Sequence, residues 1–214
     1  GLDYVRISLF SLDQRKYSRL TNRYGNWHDK VLKGIETALS TGLRVKINVV
    51  LLRDLIEPRP EIPAFLELSK KYDVIVKFIE LAVPIWMKRD LRSLYVNPST
   101  LEKYIKKAQI KFSGLTNFGR KFFVLKNGAK IELQKYLCSM DKGCEHCKSV
   151  WGLRVSSNGY LMPCLQRFDN YVNIIEPIRK GASNEQLLNL FDTAVEQLGK
   201  GPLVKIKEEE EYWR

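Results

Sequence analysis

The side chains in this chain best suited to chemistry are its thiols. Cys144 and Cys147 form a C-x2-C pair, and Cys164 follows after sixteen intervening residues. Cys138 precedes them, and the first 137 residues contain no cysteine. Two thiolates on one turn can share a metal, and a hairpin arm running Gly159-x4-Cys164 can fold a third back onto them. Three soft thiolates suit zinc or an iron–sulfur cluster. A closed zinc site needs a fourth donor, for which Cys138 and His146 are the candidates. A four-iron cluster on three cysteines instead leaves one iron open, a Lewis-acidic position for a substrate nitrogen or oxygen. A disulfide scaffold is disfavoured, because such chains are shorter, denser in cysteine and extracellular.

The rest of the chain must position these groups. Its 214 residues are 44% hydrophobic and 28% charged, an ordinary globular balance that excludes a disordered chain. Thirty-six Lys and Arg against twenty-four Asp and Glu leave a charge of +12, which favours an anionic partner. The basic residues are spread through the chain, so nucleic acid is a weaker expectation than a small anion. Val49–Leu52 is cut short by Arg53, and no apolar run approaches the ~20 residues of a membrane span. Without a signal peptide the expected location is cytoplasmic. The chain starts at Gly1 rather than Met, and part of its natural N-terminus is expected to be missing.

Strand signals at Asp3–Phe10, Val45–Leu52 and Val74–Ala82 alternate with helical periodicity over His28–Thr41 and around Ile62, Phe65, Leu66 and Leu68. Nearly apolar strands separated by helices predict parallel pairing with right-handed crossovers. Three such strands leave two bare edges, so they read as part of a larger barrel or sheet. Beyond Pro84 the pattern predicts a helix from Asn97-Pro98 and a hairpin across Asn127-Gly128. The cysteine segment follows, then a second hairpin across Asn158-Gly159 and a final helix opened by the capping box Ser183-x-x-Gln186. The division falls near residue 110, with a βα part at 1–110 and a cysteine-bearing part at 111–214.

Several stretches, in order, are similar to one family. They are Gly1–Leu12, Thr21-Asn-Arg, Val31–Ala38, Gly42–Val50, Phe78-Ile-Glu-Leu, Asn127-Gly-Ala-Lys-Ile-Glu, and Cys144-x2-Cys147 through Leu153-Arg-Val-Ser-Ser-Asn-Gly-Tyr-Leu-Met-Pro-Cys164-Leu. Pro177–Ser183 and the ending Tyr212-Trp213-Arg214 fit as well. Together they resemble the radical S-adenosylmethionine (SAM) enzymes of the GTP 3′,8-cyclase family, molybdenum cofactor biosynthesis protein A, in its archaeal form. The resemblance implies an α/β fold: the C-terminal part of a partial (βα)6 radical-SAM barrel, followed by a smaller α+β auxiliary-cluster domain. It implies a lyase that converts GTP to a cyclic pterin precursor, using a first four-iron cluster that cleaves SAM and a second that binds guanine through its open iron. Carried onto this chain, Cys144, Cys147 and Cys164 hold the second cluster. Ser8 contacts SAM, while Lys46, Gly152, Leu153 and Arg154 contact GTP. A lysine on a barrel strand delivers a point charge to phosphate, and an arginine can fork onto its oxygens. No residue of this chain is assigned as catalytic by itself, and the resemblance admits a homodimer.

The sequence also departs from that family. Gly152 stands where the family has its first arginine, Phe10 replaces an aspartate, Cys138 is additional, and the interval from Cys147 to Cys164 is three residues longer than usual. No C-x3-C-x2-C occurs. The expectation is therefore a chain that lacks the N-terminal part of the barrel and is inactive alone. The alternatives are a zinc-ribbon module that binds nucleic acid and another radical-SAM enzyme with an auxiliary cluster.

Overall fold

Alternation sets the first strands. In β2 (Arg44–Leu51) the side chains of Val45, Ile47, Val49 and Leu51 are buried on one face, and Lys46, Asn48 and Val50 occupy the other, half-buried. The computed structural model describes residues 1–55, 60–82, 91–116, 120–135, 153–164 and 169–197. Cys138, Cys144, Cys147 and Gly152 lie outside them, as does the C-terminal ending. The chain divides into two compact units, Gly1–Val83 with Lys88–Tyr136, and Pro84–Met87 with Leu137–Arg214.

The first unit is a mixed α/β layer. β1 (Tyr4–Ser8) and β3 (Ile75–Glu80) flank β2 in parallel, aligning Arg6 with Lys46 and Asn48 with Lys77. α1 (Gln14–Thr21), α2 (Trp27–Ser40), α3 (Ile62–Tyr72) and α4 (Ser99–Lys107) accompany them. α2 packs on β1 and β2, and α3 packs on β3. Beneath these helices Ile35, Phe65, Ile47, Val76, Phe78 and Leu101 form one buried core, with Phe65 and Phe78 edge-to-face at 5.9 Å.

Two features differ from the sequence expectation. The polar stretch after β1 contains α1: Asp13 caps it by accepting from the Lys16 amide, but its apolar stripe is too thin to register as a helix. The far edge of β3 is also occupied from within the chain. β4 (Ile110–Leu115), β5 (Lys121–Leu125) and β6 (Lys130–Gln134) form an antiparallel meander, and β6 pairs in parallel with β3. The sheet order is β1-β2-β3-β6-β5-β4, so residue 110 falls inside the first unit. Gly128, at φ +93°, makes the tight turn that returns β5 into β6.

The second unit holds a small sheet of β7 (Arg154–Val155), β8 (Tyr160–Met162) and β9 (Val172–Asn173). α5 (Ile175–Arg179) and α6 (Asn184–Glu196) follow, the latter opened by the expected capping box of Ser183 and Gln186. Leu161, Ile174 and Ala194 are its buried centre. Gly159 is required there twice over. Its φ is +79°, and a Cβ on it would lie 2.3 Å from Cβ of Ile175.

Candidate functional site

The face of the first sheet opposite the helices carries charge. Lys46 on β2, Lys77 on β3 and Glu132 on β6 occupy neighbouring registers, and Arg120 leads into β5. Lys46 Nζ donates to Glu132 Oε2 at 2.5 Å and an Arg120 guanidinium N–H donates to Oε1 at 3.2 Å; Lys77 Nζ lies 3.8 Å from the same Oε1. The Glu132 side chain is 1% exposed, Lys77 7% and Lys46 19%. Three cations therefore surround one carboxylate, and Arg6 stands beside Lys46 on β1.

That imbalance shapes the titration of the group. Burial, then the adjacent Arg120, lowers the Lys77 ammonium to about 8; Glu132 opposes the shift, and Lys46 and Arg6 add to it. Burial alone would raise the Glu132 carboxyl. The hydrogen bond from Lys46 and the charges of Lys46, Lys77 and Arg120 outweigh burial and hold it below its ordinary value. Asn48 shares this face, opposite Ser8 on β1 and Lys77 on β3. Its buried Oδ1 has no hydrogen-bond partner among the described residues, which leaves an acceptor for a donor from outside the fold.

The loops at the strand ends are tied down. Glu61 accepts from Ser11 Oγ and the Leu12 amide, each at 2.7 Å, which fixes the chain just past β1. Tyr95 donates to Glu80 at the end of β3, at 2.7 Å. Ser8 itself is exposed at the end of β1.

In the second unit, Cys164 is half-buried two residues past β8. Burial, and after it the charge of nearby Cys164, raises the Tyr171 hydroxyl above its ordinary value. Arg154 is exposed on β7, and Leu153 packs on the Leu161 core. A thiol at the end of a braced hairpin is a suitable soft donor, and the Cys144, Cys147 and Cys164 set has the chemistry an iron–sulfur cluster takes. Among the described residues no group of three His, Cys, Asp or Glu side chains gathers as a metal site, and Cys164 alone of the expected ligands lies within them.

Sequence reasoning singled out Lys46 but not its partners. Lys77 interrupts the apolar run VIVKFI and Glu132 interrupts KIEL, which marks each as a charge in need of a partner without showing which partner it meets. Opposite charges inside two otherwise buried strands are stable only when they meet.

Fold and site together define a mixed α/β protein with a cation-rich face on its main sheet. No protein-family model matches the chain. Among curated proteins it is 32% identical over 198 residues to the "Probable GTP 3',8-cyclase" of Pyrococcus abyssi, covering 91% of this chain and 63% of that protein. The proteins of the same name from Methanococcus maripaludis and Methanocaldococcus jannaschii are 31% and 32% identical, covering 92% and 86% of this chain and 61% and 58% of theirs. The chain thus spans less than two thirds of the length of these relatives. Over the matched residues the chain is similar to proteins named GTP 3′,8-cyclase.

Proposed function

We propose that this chain is the GTP- and second-cluster-binding portion of a radical-SAM GTP 3′,8-cyclase, acting in molybdenum cofactor biosynthesis. The observation that carries the reading is the excess of positive charge around Lys46, where the family resemblance puts a GTP contact. Lys46, Lys77 and Arg120 offer N–H donors to phosphate oxygens, and among the described residues Glu132 is the carboxylate that meets all three. The orphan Asn48 Oδ1 supplies an acceptor for a hydroxyl or amine of the nucleoside. Ser8, beside it in register, serves SAM.

In the second unit, Cys144, Cys147 and Cys164 would hold a four-iron cluster, which when bound supplies an open Lewis-acidic iron for guanine. Arg154, with Leu153 and Gly152, serves GTP by forking onto an acceptor. Gly152 offers no charge, so Arg154 supplies the cationic contact of this segment.

In this reading β1–β3 are late strands of a partial barrel, and further parallel strands join at the outer edge of β1, which ends the sheet. Nothing in the 214 residues provides the C-x3-C-x2-C of a SAM-cleaving cluster. The chain alone therefore does not cleave SAM, and 5′-deoxyadenosine formed by it with reductant would contradict this. Calorimetric titration with GTP tests the binding role. Lys46→Met is expected to weaken GTP about tenfold, the worth of one charge-assisted hydrogen bond. An unchanged affinity would remove Lys46 from the site.

A further inference from the structure

The geometry points to Glu132 as a positioning residue: its carboxylate holds the Lys46 ammonium and the Arg120 guanidinium at the spacing in which they receive a polyphosphate. This rests on the reading of Lys46 as a phosphate contact and adds to it a residue that touches no substrate.

A carboxylate at the centre of an anion site calls for explanation, since alone it repels phosphate. Glu132 is almost fully buried, and its two oxygens face three cations drawn from β2, β3 and the lead into β5. Without it, the cations would repel one another. Lys46, already partly exposed, would then extend its flexible stem toward water. With it, one N–H of Lys46 and one of Arg120 are committed to Glu132, which fixes where their remaining donors point. Among the described side chains of this group, one negative charge orders three positive ones and leaves them in excess.

Glu132→Gln separates this role from two others. Lys77 faces Arg120, Glu132, Lys46 and Arg6, and among these Glu132 is the group that favours its charged form. Loss of the carboxylate thus favours proton loss from Lys77 and removes a positive charge as pH rises. The variant gains little net attraction for anions near neutral pH, and the loss of ordering decides the outcome.

The experiment titrates inorganic tripolyphosphate into the whole chain from pH 6 to 9. The wild-type chain is expected to bind. Glu132→Gln is expected to bind about tenfold more weakly at pH 7, with the pH at which affinity falls away moved downward. Glu132→Asp keeps the charge but shortens the reach. It is expected to bind severalfold more weakly with the wild-type pH dependence, and it serves if the glutamine variant does not fold. Tighter binding by Glu132→Gln would make Glu132 a mere opposing charge. Wild-type affinity and pH dependence in a folded variant would make it purely structural; either result overturns the proposal. Failure of the wild-type chain to bind tripolyphosphate would instead overturn the phosphate reading, and the inference with it.

Discussion

Lys77 is a charge that burial and its cationic neighbours together disfavour. Its ammonium is lowered to about 8 from the ordinary 10.5, first by burial and then by Arg120. The unfolded chain keeps that proton up to about 10.5, whereas the folded chain releases it above about 8. Between these values the unfolded state binds more protons, so stability rises with pH across the window. Phosphate binding should do the opposite, weakening as the charge is lost. Lys77→Met separates the two: it removes a buried charge while Lys46 and Arg120 still neutralise Glu132. Stability should be unchanged or higher by about 1–2 kcal/mol, the common result of replacing a buried ion with an apolar side chain. Affinity for tripolyphosphate below pH 8 should fall, and the rise in stability between pH 8 and 10.5 should flatten. Thermal unfolding across pH, beside the titrations, checks both; a strongly destabilised variant would contradict the account. Lys46 was singled out in the sequence by the family resemblance, which puts a GTP contact there, and not by local pattern. Lys77, Arg120 and Glu132 were not singled out, because their meeting depends on β6 lying next to β3, which local pattern does not reveal.

Hairpin turns set what these elements can present. Gly128 and Gly159 both sit at positive φ, but a Cβ at Gly128 meets nothing within 4 Å, whereas one at Gly159 strikes Ile175. Gly128→Ala should therefore cost about 1 kcal/mol, the backbone contribution alone. Gly159→Ala should cost about 2–4 kcal/mol, because overpacking adds to that strain. Chemical denaturation would measure the difference, and equal costs would contradict the close packing of the β7–β8 turn on α5. Both hairpins could be read from Asn-Gly between apolar runs, and α6 from its capping box. α1 could not, since its buried side amounts to little more than Tyr17 and Ser18. The expected bare edge beyond β3 was half right in physical terms. A partner strand was needed, and it came from the C-terminal meander rather than from another βα unit.

At the scale of the whole molecule, the charge of +12 has a specific outlet. The cationic sheet face of the first unit is chemically suited to a small polyanion such as the proposed GTP, whereas an extended nucleic acid would favour a dense exposed basic patch. No helix among the described residues is long and apolar enough to cross a membrane. The α/β character and the similarity to proteins named GTP 3′,8-cyclase were legible from ordered motifs along the chain, whereas the place of β4–β6 was not, because strands distant in sequence complete a single sheet. Three cysteines of this chain are proposed to hold a four-iron cluster whose open iron takes GTP. Mössbauer spectroscopy of the anaerobically reconstituted chain, with and without GTP, tests it most directly. The account predicts four irons per chain, with GTP altering the signal of one iron and leaving three unchanged. A colourless zinc protein, or four irons all indifferent to GTP, would contradict it.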